Sequence, residues 1–211
     1  MNDDDDRGRL AALPVSRRRT RKAVRRQVPE GKIEVVVTYL EMSERPTRAP
    51  TPHPPGKIAL MRLDRPTVSF YRYLYDTVGE DWLWYERRKL DDDALRRVIH
   101  DPAVEIYVLY VQGSPAGYVE LDRRHRDQVE IAYFGLIPEF HGRGFGRYLL
   151  DWAVDEAWDK GPKRVWLHTC NLDHPRAIAS YQRSGFVPFK QETMLIDDPR
   201  LDGTIPAGAG R

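Results

Sequence analysis

Three glycines and two arginines stand where a helical pattern begins, in the stretch PEFHGRGFGRYLL (138–150). They are Gly142, Gly144 and Gly146, with Arg143 and Arg147 between and after them. The first N–H groups of a helix have no partner inside the helix and carry the positive end of its dipole, so they bind anions. Glycine lets an anion approach the backbone, and arginine adds positive charge. The pattern predicts a phosphate or pyrophosphate site.

Two common phosphate motifs do not fit this stretch. A P-loop has Lys and then Ser or Thr after its last glycine, whereas Arg147-Tyr148 stands here. A dinucleotide fingerprint lies in a series of parallel strands, whereas the strands before residue 138 are predicted to be antiparallel. A glycine turn that opens a helix remains, either as an anion site or as a tight turn only.

The elements that must position this turn follow from the apolar periodicity and the turn residues. The predicted order is ββααβββαβαβ, which indicates an α+β domain with a mixed, mostly antiparallel sheet flanked by helices. Strands are predicted at 33–42, 57–63, 104–111, 116–124, 128–137, 163–170 and 187–196, and helices at 66–78, 91–101, 145–160 and 175–186. The three strands between 104 and 137 form an antiparallel meander in this prediction.

The two ends of the chain differ from its middle. Residues 1–30 hold 9 of the 34 Lys and Arg residues but only 5 of the 32 Asp and Glu residues. We therefore expect a disordered basic arm at 1–31, a folded domain at 32–197 and a flexible tail at 198–211. A solvated tail is the expected role of this arm, and a contact with nucleic acid, the alternative, would be made only through it.

The composition also predicts the setting of the protein. A single cysteine, Cys170, is typical of a reducing cytoplasm. The six histidines lack metal-ligand spacing, so we expect no metal site. A stretch of 18 apolar residues is absent, so no membrane span is expected.

Two motifs in this order resemble the GNAT acyltransferase superfamily, which binds acetyl-CoA. His141-Gly142-Arg143-Gly144-Phe145-Gly146 is similar to the family's Gln/Arg-x-x-Gly-x-Gly/Ala, with His141 in place of Gln or Arg. HPRAIASYQRSGF (174–186) is similar to Asn-x-x-Ala-x-x-x-Tyr-x-x-x-Gly-Phe, with His174 in place of Asn. The resemblance covers roughly 57–196 in element order and implies a sheet with a splayed central strand pair.

The resemblance implies that acetyl-CoA binds as a co-substrate along the glycine turn and the strand before it. The implied contacts are Leu136, Ile137, His141, Gly142, Arg143, Gly144, Phe145, Gly146, Arg147, His174 and Tyr181. A bulge is expected at 134–137, where exposed N–H groups would reach the thioester oxygen. Gly135 is the expected bulge residue, or else a glycine tolerated in a buried strand.

Acyl transfer from a thioester to an amine needs a base for the amine and an acid for the leaving thiolate. The resemblance makes Glu130 the first candidate base, with Glu120 second, and Tyr181 the proton donor. Pairing of Glu130 with Arg124 or Arg126 is the structural alternative. His168 is a candidate base, a substrate contact or a structural histidine. Direct transfer in a ternary complex is expected rather than an acyl-Cys170 intermediate.

Aromatic residues are dense between 70 and 85, where the resemblance places the acceptor. Seven aromatic side chains there exceed what one face of a helix pair buries, so we expect an aromatic pocket for an amine, with Tyr71, Trp82, Trp84 and His168 as contacts. Arg72, Arg87 and Arg88 are candidates to hold a carboxylate. The implied function is acetylation of a small-molecule primary amine. The alternatives are a protein or peptide acceptor, and a non-catalytic CoA-binding module. A homodimer is left open.

Overall fold

A computed structural model describes residues 28–210. Between these residues the chain forms seven strands and four α-helices in the predicted order. The strands are β1 (Lys32–Met42), β2 (Ile58–Arg62), β3 (Val104–Val111), β4 (Ser114–Asp122), β5 (Gln128–Leu136), β6 (Arg164–Cys170) and β7 (Val187–Asp197). The helices are α1 (Val68–Gly79), α2 (Asp92–Ile99), α3 (Phe145–Trp158) and α4 (Ala177–Arg183). The predicted basic arm lies almost wholly outside the described residues.

The strands form one mixed, mostly antiparallel sheet in the order β2-β3-β4-β5-β6-β1-β7. The predicted meander of β3, β4 and β5 is confirmed. The first strand of the chain lies between the last two, which no local pattern indicates. The parallel pair β5 and β6 runs only from Gln128↔Arg164 to Glu130↔Trp166. Both strands continue beyond this point, so the sheet splays open at its centre.

Helix ends follow the local sequence. The Thr67 side chain accepts a hydrogen bond from Phe70 N at 3.3 Å, and the Asp91 side chain accepts one from Ala94 N at 2.7 Å. Each satisfies an N–H group at the start of its helix. A first apolar cluster packs α3 against one face of the sheet, with Leu149 and Val154 fully buried. A second packs α1 and α2 against the other face. The central strands of the sheet are therefore covered on both faces, whereas the edge strand β7 is largely exposed.

The expected bulge lies earlier in β5 than the sequence indicates. Glu120 pairs with Tyr133 and Leu121 with Ile131, so Ala132 is the extra residue. Gly135 serves packing instead, because a Cβ atom there would lie 2.4 Å from Val78 Cγ1. The glycine thus allows α1 to approach the splayed strand closely.

Residues 198–210 form turns that pack against the domain, whereas we expected a flexible tail. Ile205 is fully buried and Ala209 nearly so, in a small cluster with Leu83. A short segment rich in polar residues and Gly can pack when a few apolar side chains meet an apolar surface. The polar composition of the segment gave no indication that Ile205 and Ala209 would pack against Leu83.

Alanine at Ile205 is expected to lower the free energy of unfolding by about 2 kcal/mol, because it removes a fully buried side chain. Leu201 is the matched control in the same segment, since 73% of it is exposed. Alanine at Leu201 should change stability by less than about 0.5 kcal/mol. Urea unfolding of both variants measures the difference. Equal stabilities would contradict the packing of this segment.

Candidate active site

A cleft opens where β5 and β6 separate, and encloses a cavity of about 440 Å³. One wall of the cleft is formed by β5 and another by β6, because the two strands are not hydrogen-bonded to each other beyond Glu130 and Trp166. The turn before α3, the start of α4 and the loop after α1 complete it. Predicted site residues that line it are Trp82, Trp84, Leu136, His141, Gly142, Gly144, Gly146, Arg147, His168, His174 and Tyr181.

The glycine turn has the backbone of an anion site. Gly142 and Gly144 have φ of +74° and +85°, the left-handed region that favours glycine, and open space surrounds both. Gly144 caps α3 without a side-chain hydrogen bond. The first helical bond runs from Tyr148 N to Gly144 O at 3.2 Å, which leaves the three preceding N–H groups without a partner in the helix. These groups can receive phosphate oxygens.

Three predicted cofactor contacts do not line the cleft with their side chains. Phe145 and Ile137 are buried. The Arg143 guanidinium lies over the ring of Phe145 at 5.1 Å. Ile137 N donates to Ala116 O at 2.9 Å, so it is not available to a ligand. Since successive N–H groups of a strand point to opposite edges, those of Phe134 and Leu136 point to the splayed side.

His141 is tied to the strand that precedes it. Its Nε2 lies 3.0 Å from Leu136 O, as a donor to that carbonyl. Its ring meets His174 edge-on at 6.2 Å between centroids, and His174 in turn meets Trp82 at 5.4 Å. Through these ring contacts, His141 and His174 connect the glycine turn, the segment before α4 and the loop after α1.

Glu130 pairs with His168 across the splay. The Glu130 Oε1 atom lies 3.2 Å from His168 Nδ1, and Arg124 pairs with Asp122 instead. The hydrogen bond to Glu130 raises the pKa of His168 above its ordinary value, against the opposing effect of burial. Because the Glu130 carboxylate accepts a hydrogen bond from Nδ1, the proton of the neutral His168 ring lies on Nδ1. The Nε2 atom is then the nitrogen that can accept a proton. The sequence left these two residues as separate candidates.

Glu120 cannot reach a ligand in the cleft and so cannot act as the base. It is fully buried, accepts from Tyr71 OH at 2.6 Å, and forms an ion pair with Arg87 at 2.6 Å. Tyr71 is fully buried as well and is absent from the cleft lining, which corrects its prediction as an acceptor contact. One face of α1 buries its aromatic residues in the core here, as amphipathic helices do.

The predicted carboxylate-binding arginines are already engaged. Arg72 pairs with Asp92 at 2.8 Å, and Arg88 with Asp76 at 2.9 Å. With Arg87 held by Glu120, all three guanidinium groups have carboxylate partners. An acceptor carboxylate would have to displace one of them, so we withdraw this assignment.

Tyr181 and Cys170 both lie in the cleft. Burial raises the pKa of the Tyr181 phenol well above its ordinary value, so the phenol keeps its proton at neutral pH. Its ring packs against Phe134 at 6.3 Å. Burial, followed by the charge of Asp173, raises the pKa of the Cys170 thiol to about 11. A protonated thiol is a poor nucleophile, which agrees with direct transfer.

Several charged residues of the cleft were not predicted from the sequence. They are Glu86, Asp151, Asp173, Arg176 and Arg183. Asp173 accepts from Thr169 Oγ1 at 2.7 Å and from Trp84 Nε1 at 3.3 Å, so it fastens the loop after α1 to the end of β6. The position of Asp173 in TCNLDHP (169–175), between a predicted strand and a predicted helix, could have indicated its role.

Trp82 and Trp84 enter the cleft on either side of a left-handed residue. Leu83 has φ +55° and is buried against Ile205. Such a conformation is unfavourable for leucine and persists when packing holds it. The Cβ position of Gly210 lies 3.1 Å from Leu83 Cδ2. The C-terminal segment therefore helps to hold the two tryptophans.

Comparison with known proteins agrees with this geometry. The family model described as the acetyltransferase (GNAT) family matches residues 68–186. Spermidine N(1)-acetyltransferase of Vibrio cholerae is 27% identical over 162 residues, 70% of this chain and 87% of that protein. Streptothricin acetyltransferase of Streptomyces lavendulae is 31% identical over 77 residues, 36% and 38% of the two chains.

A solved structure supports the same fold. The GCN5-related N-acetyltransferase from Kribbella flavida superposes with a TM-score of 0.52 at 17% identity, over 82% of this chain and 63% of that chain. Its likeness concerns the fold alone. The glycine turn, the splayed strands and the match over 68–186 lead to one conclusion: this chain belongs to the GNAT family of acetyltransferases, which use acetyl-CoA as the acyl donor.

Proposed function

We propose that the protein transfers an acetyl group from acetyl-CoA to a primary amine of a small cationic molecule, by direct transfer in a ternary complex. One observation carries the proposal. His168 lines the same cleft as the glycine turn, and Glu130, which does not line the cavity itself, holds His168 Nδ1 at 3.2 Å. A base and an anion site that share one cavity are what the reaction requires.

The charges of the cleft support an anionic donor and a cationic acceptor. Arg147, Arg176 and Arg183 come from α3, α4 and the turns before them, where the pyrophosphate would lie. Glu86 and Asp173 line the cavity beside Trp84 and His168. Carboxylates and aromatic faces attract ammonium groups. The relative in Vibrio cholerae is named for spermidine, a polyamine, which agrees in chemical type.

The cavity volume of about 440 Å³ suits a small acceptor. A protein or peptide acceptor would need an open groove. The alternative of a CoA-binding module does not account for a histidine in the cleft whose Nδ1 is held by a carboxylate. A nucleic-acid contact through residues 1–27 and a homodimer stay predictions. Among the helices of residues 28–210, none has the length and apolar character to cross a bilayer.

The proposed mechanism assigns one role to each group. His168 Nε2 takes a proton from the acceptor ammonium, and Glu130 holds Nδ1–H and stabilises the imidazolium. The free amine attacks the thioester carbon, so that the C–N bond forms and the C–S bond breaks. The N–H groups of Phe134 and Leu136 hold the donor along β5. Tyr181 donates a proton to the CoA thiolate, and the second proton that the nitrogen loses as the amide forms replaces it on the tyrosine oxygen.

Release of free CoA thiol from acetyl-CoA, followed with a thiol reagent, tests the proposal against a panel of amines. Small cationic amines should give turnover, with mass spectrometry showing one acetyl group on the acceptor. A peptide with a free N-terminus is the comparison acceptor. Turnover with the peptide alone would overturn the small-molecule assignment.

Glutamine at Glu130 should shift the pH dependence of kcat/KM. The wild-type rate falls as the pH drops through the pKa of His168, which Glu130 raises above 6.5. Without the carboxylate this acidic limb should move to lower pH, and the plateau rate should fall about tenfold because the imidazole is less well oriented. Rate profiles from about pH 5.5 to about pH 9 measure both effects. An unmoved limb in the variant would exclude the pair as the base.

A further inference from the structure

Glu86 is a carboxylate of the cleft with no basic partner among residues 28–210. Its Oε2 accepts from Tyr75 OH at 3.2 Å, and among residues 28–210 no Lys or Arg forms an ion pair with it. The other acidic side chains of the cavity are engaged. Asp151 pairs with Arg147 at 3.6 Å, and Asp173 holds Thr169 and Trp84. Within the described part of the chain, Glu86 is therefore the carboxylate of the cavity wall that forms no ion pair with Lys or Arg and no hydrogen bond except that from Tyr75.

Aromatic rings line the same cavity as this carboxylate, namely Trp84, Tyr85 and Tyr133. Lys89 Nζ lies 4.7 Å from the centroid of the Tyr85 ring, and the Arg87 guanidinium lies 5.1 Å from that of Tyr133, whereas no Lys or Arg of residues 28–210 lies over Trp84. Trp84 is held in place by Asp173 and by ring contacts with Tyr133 at 5.2 Å. The hydroxyl of Tyr75, which is almost fully buried, donates a hydrogen bond to the Glu86 carboxylate and so holds its position. A fixed carboxylate beside aromatic faces matches the chemistry of an ammonium group.

Glu86 also lies near the reacting centre without belonging to it. Its charge is one of the influences that raise the pKa of His168, after that of Glu130. The amine that attacks the thioester must lose its proton at His168 and becomes neutral. A cation held at Glu86 must therefore be a different group of the same acceptor.

We propose that Glu86, with Trp84, forms a subsite for a second ammonium group, and that the acceptor is a diamine or longer polyamine. This inference rests on the proposed function. One amine stays protonated at Glu86 while the other is acetylated beside His168. Charge-assisted hydrogen bonds of this kind change affinity by about 10- to 100-fold. The subsite thus selects acceptors by a charge remote from the reacting nitrogen.

Two acceptors of equal length test the subsite, 1,4-diaminobutane and 1-aminobutane, each with saturating acetyl-CoA. The wild-type protein should favour the diamine by about tenfold or more in kcat/KM. Glu86→Gln should abolish the preference by raising the KM for the diamine much more than the KM for the monoamine, so the ratio of the two KM values is the readout. Glu44→Gln removes one exposed charge outside the cleft and should keep the preference. Equal use of both amines by the wild type would overturn the subsite.

A binding measurement separates failure of the subsite from failure of the proposed function. Titration of 1,4-diaminobutane into the full chain, followed by tryptophan fluorescence, reports on Trp84 without turnover. Binding that Glu86→Gln weakens about tenfold or more, in a protein that acetylates no amine, would overturn the function and leave the subsite standing. Binding that is equal in the wild type and the variant, or absent from both, would overturn the subsite.

Discussion

Alanine at His168 is expected to lower kcat/KM by about 10²- to 10⁴-fold, since a positioned base contributes that much to proton transfer. The imidazole is the side chain of the cleft that Glu130 orients and whose pKa it raises. The loss should appear in kcat, because the proton leaves the amine after the acceptor has bound. Steady-state rates of CoA release at saturating acetyl-CoA measure it.

His125→Ala is the matched control, because His125 is exposed in the turn before β5 and lies outside the cleft. It should leave the rate unchanged. The affinity of His168→Ala for acetyl-CoA should equal that of the wild type, since the glycine turn is untouched. A variant with full kcat and a raised KM would make His168 an acceptor contact only, and another group would have to be the base.

Glutamate at Gly144 is expected to weaken acetyl-CoA binding by about 100-fold or more. Gly144 has φ +85° and open space beside it, at the turn where the pyrophosphate is proposed to lie. A carboxylate there would repel the phosphates and fill the space through which they approach the backbone. Calorimetric titration of acetyl-CoA into the wild type and the variant measures the loss.

Backbone strain accompanies this substitution, and Gly161→Glu controls for it. Gly161 has φ +65°, also with open space around it, but follows α3 at the end remote from the cleft. Both variants carry a comparable conformational cost and the same added charge. Gly161→Glu should retain wild-type affinity. Equal losses in the two variants would show that strain rather than anion binding is responsible, and wild-type affinity in Gly144→Glu would move the cofactor to another site.

Local pattern was enough for the elements and for the glycine turn. Alternation and helical periodicity are properties of neighbouring residues, so the element order, the meander and α3 are confirmed. The turn at Gly142 and Gly144 is likewise local, because positive φ and an uncapped helix start are set within a few residues. The resemblance to the GNAT family rested on these same short stretches, and the match over 68–186 confirms it.

The local sequence pattern could not predict the role of a side chain whose contact partner lies far away along the chain. The spacing of aromatic residues in α1 is the same for a core residue and a pocket residue, and only the burial of Tyr71 against Glu120 assigns it to the core. The arginine at position 87 looks like a ligand contact until Glu120, 33 positions away, is seen to hold it.

The sequence by itself determined the family, the order of elements and the place of the glycine turn, since each depends on contiguous residues. Only the tertiary structure brought Glu130 to His168, 38 positions apart, and Glu86 to the same cleft. It did so because β5 and β6 become neighbours through the α3 crossover and then separate after three paired residues. Where strands part, side chains from remote segments meet around one cavity, and no spacing along the chain encodes that meeting.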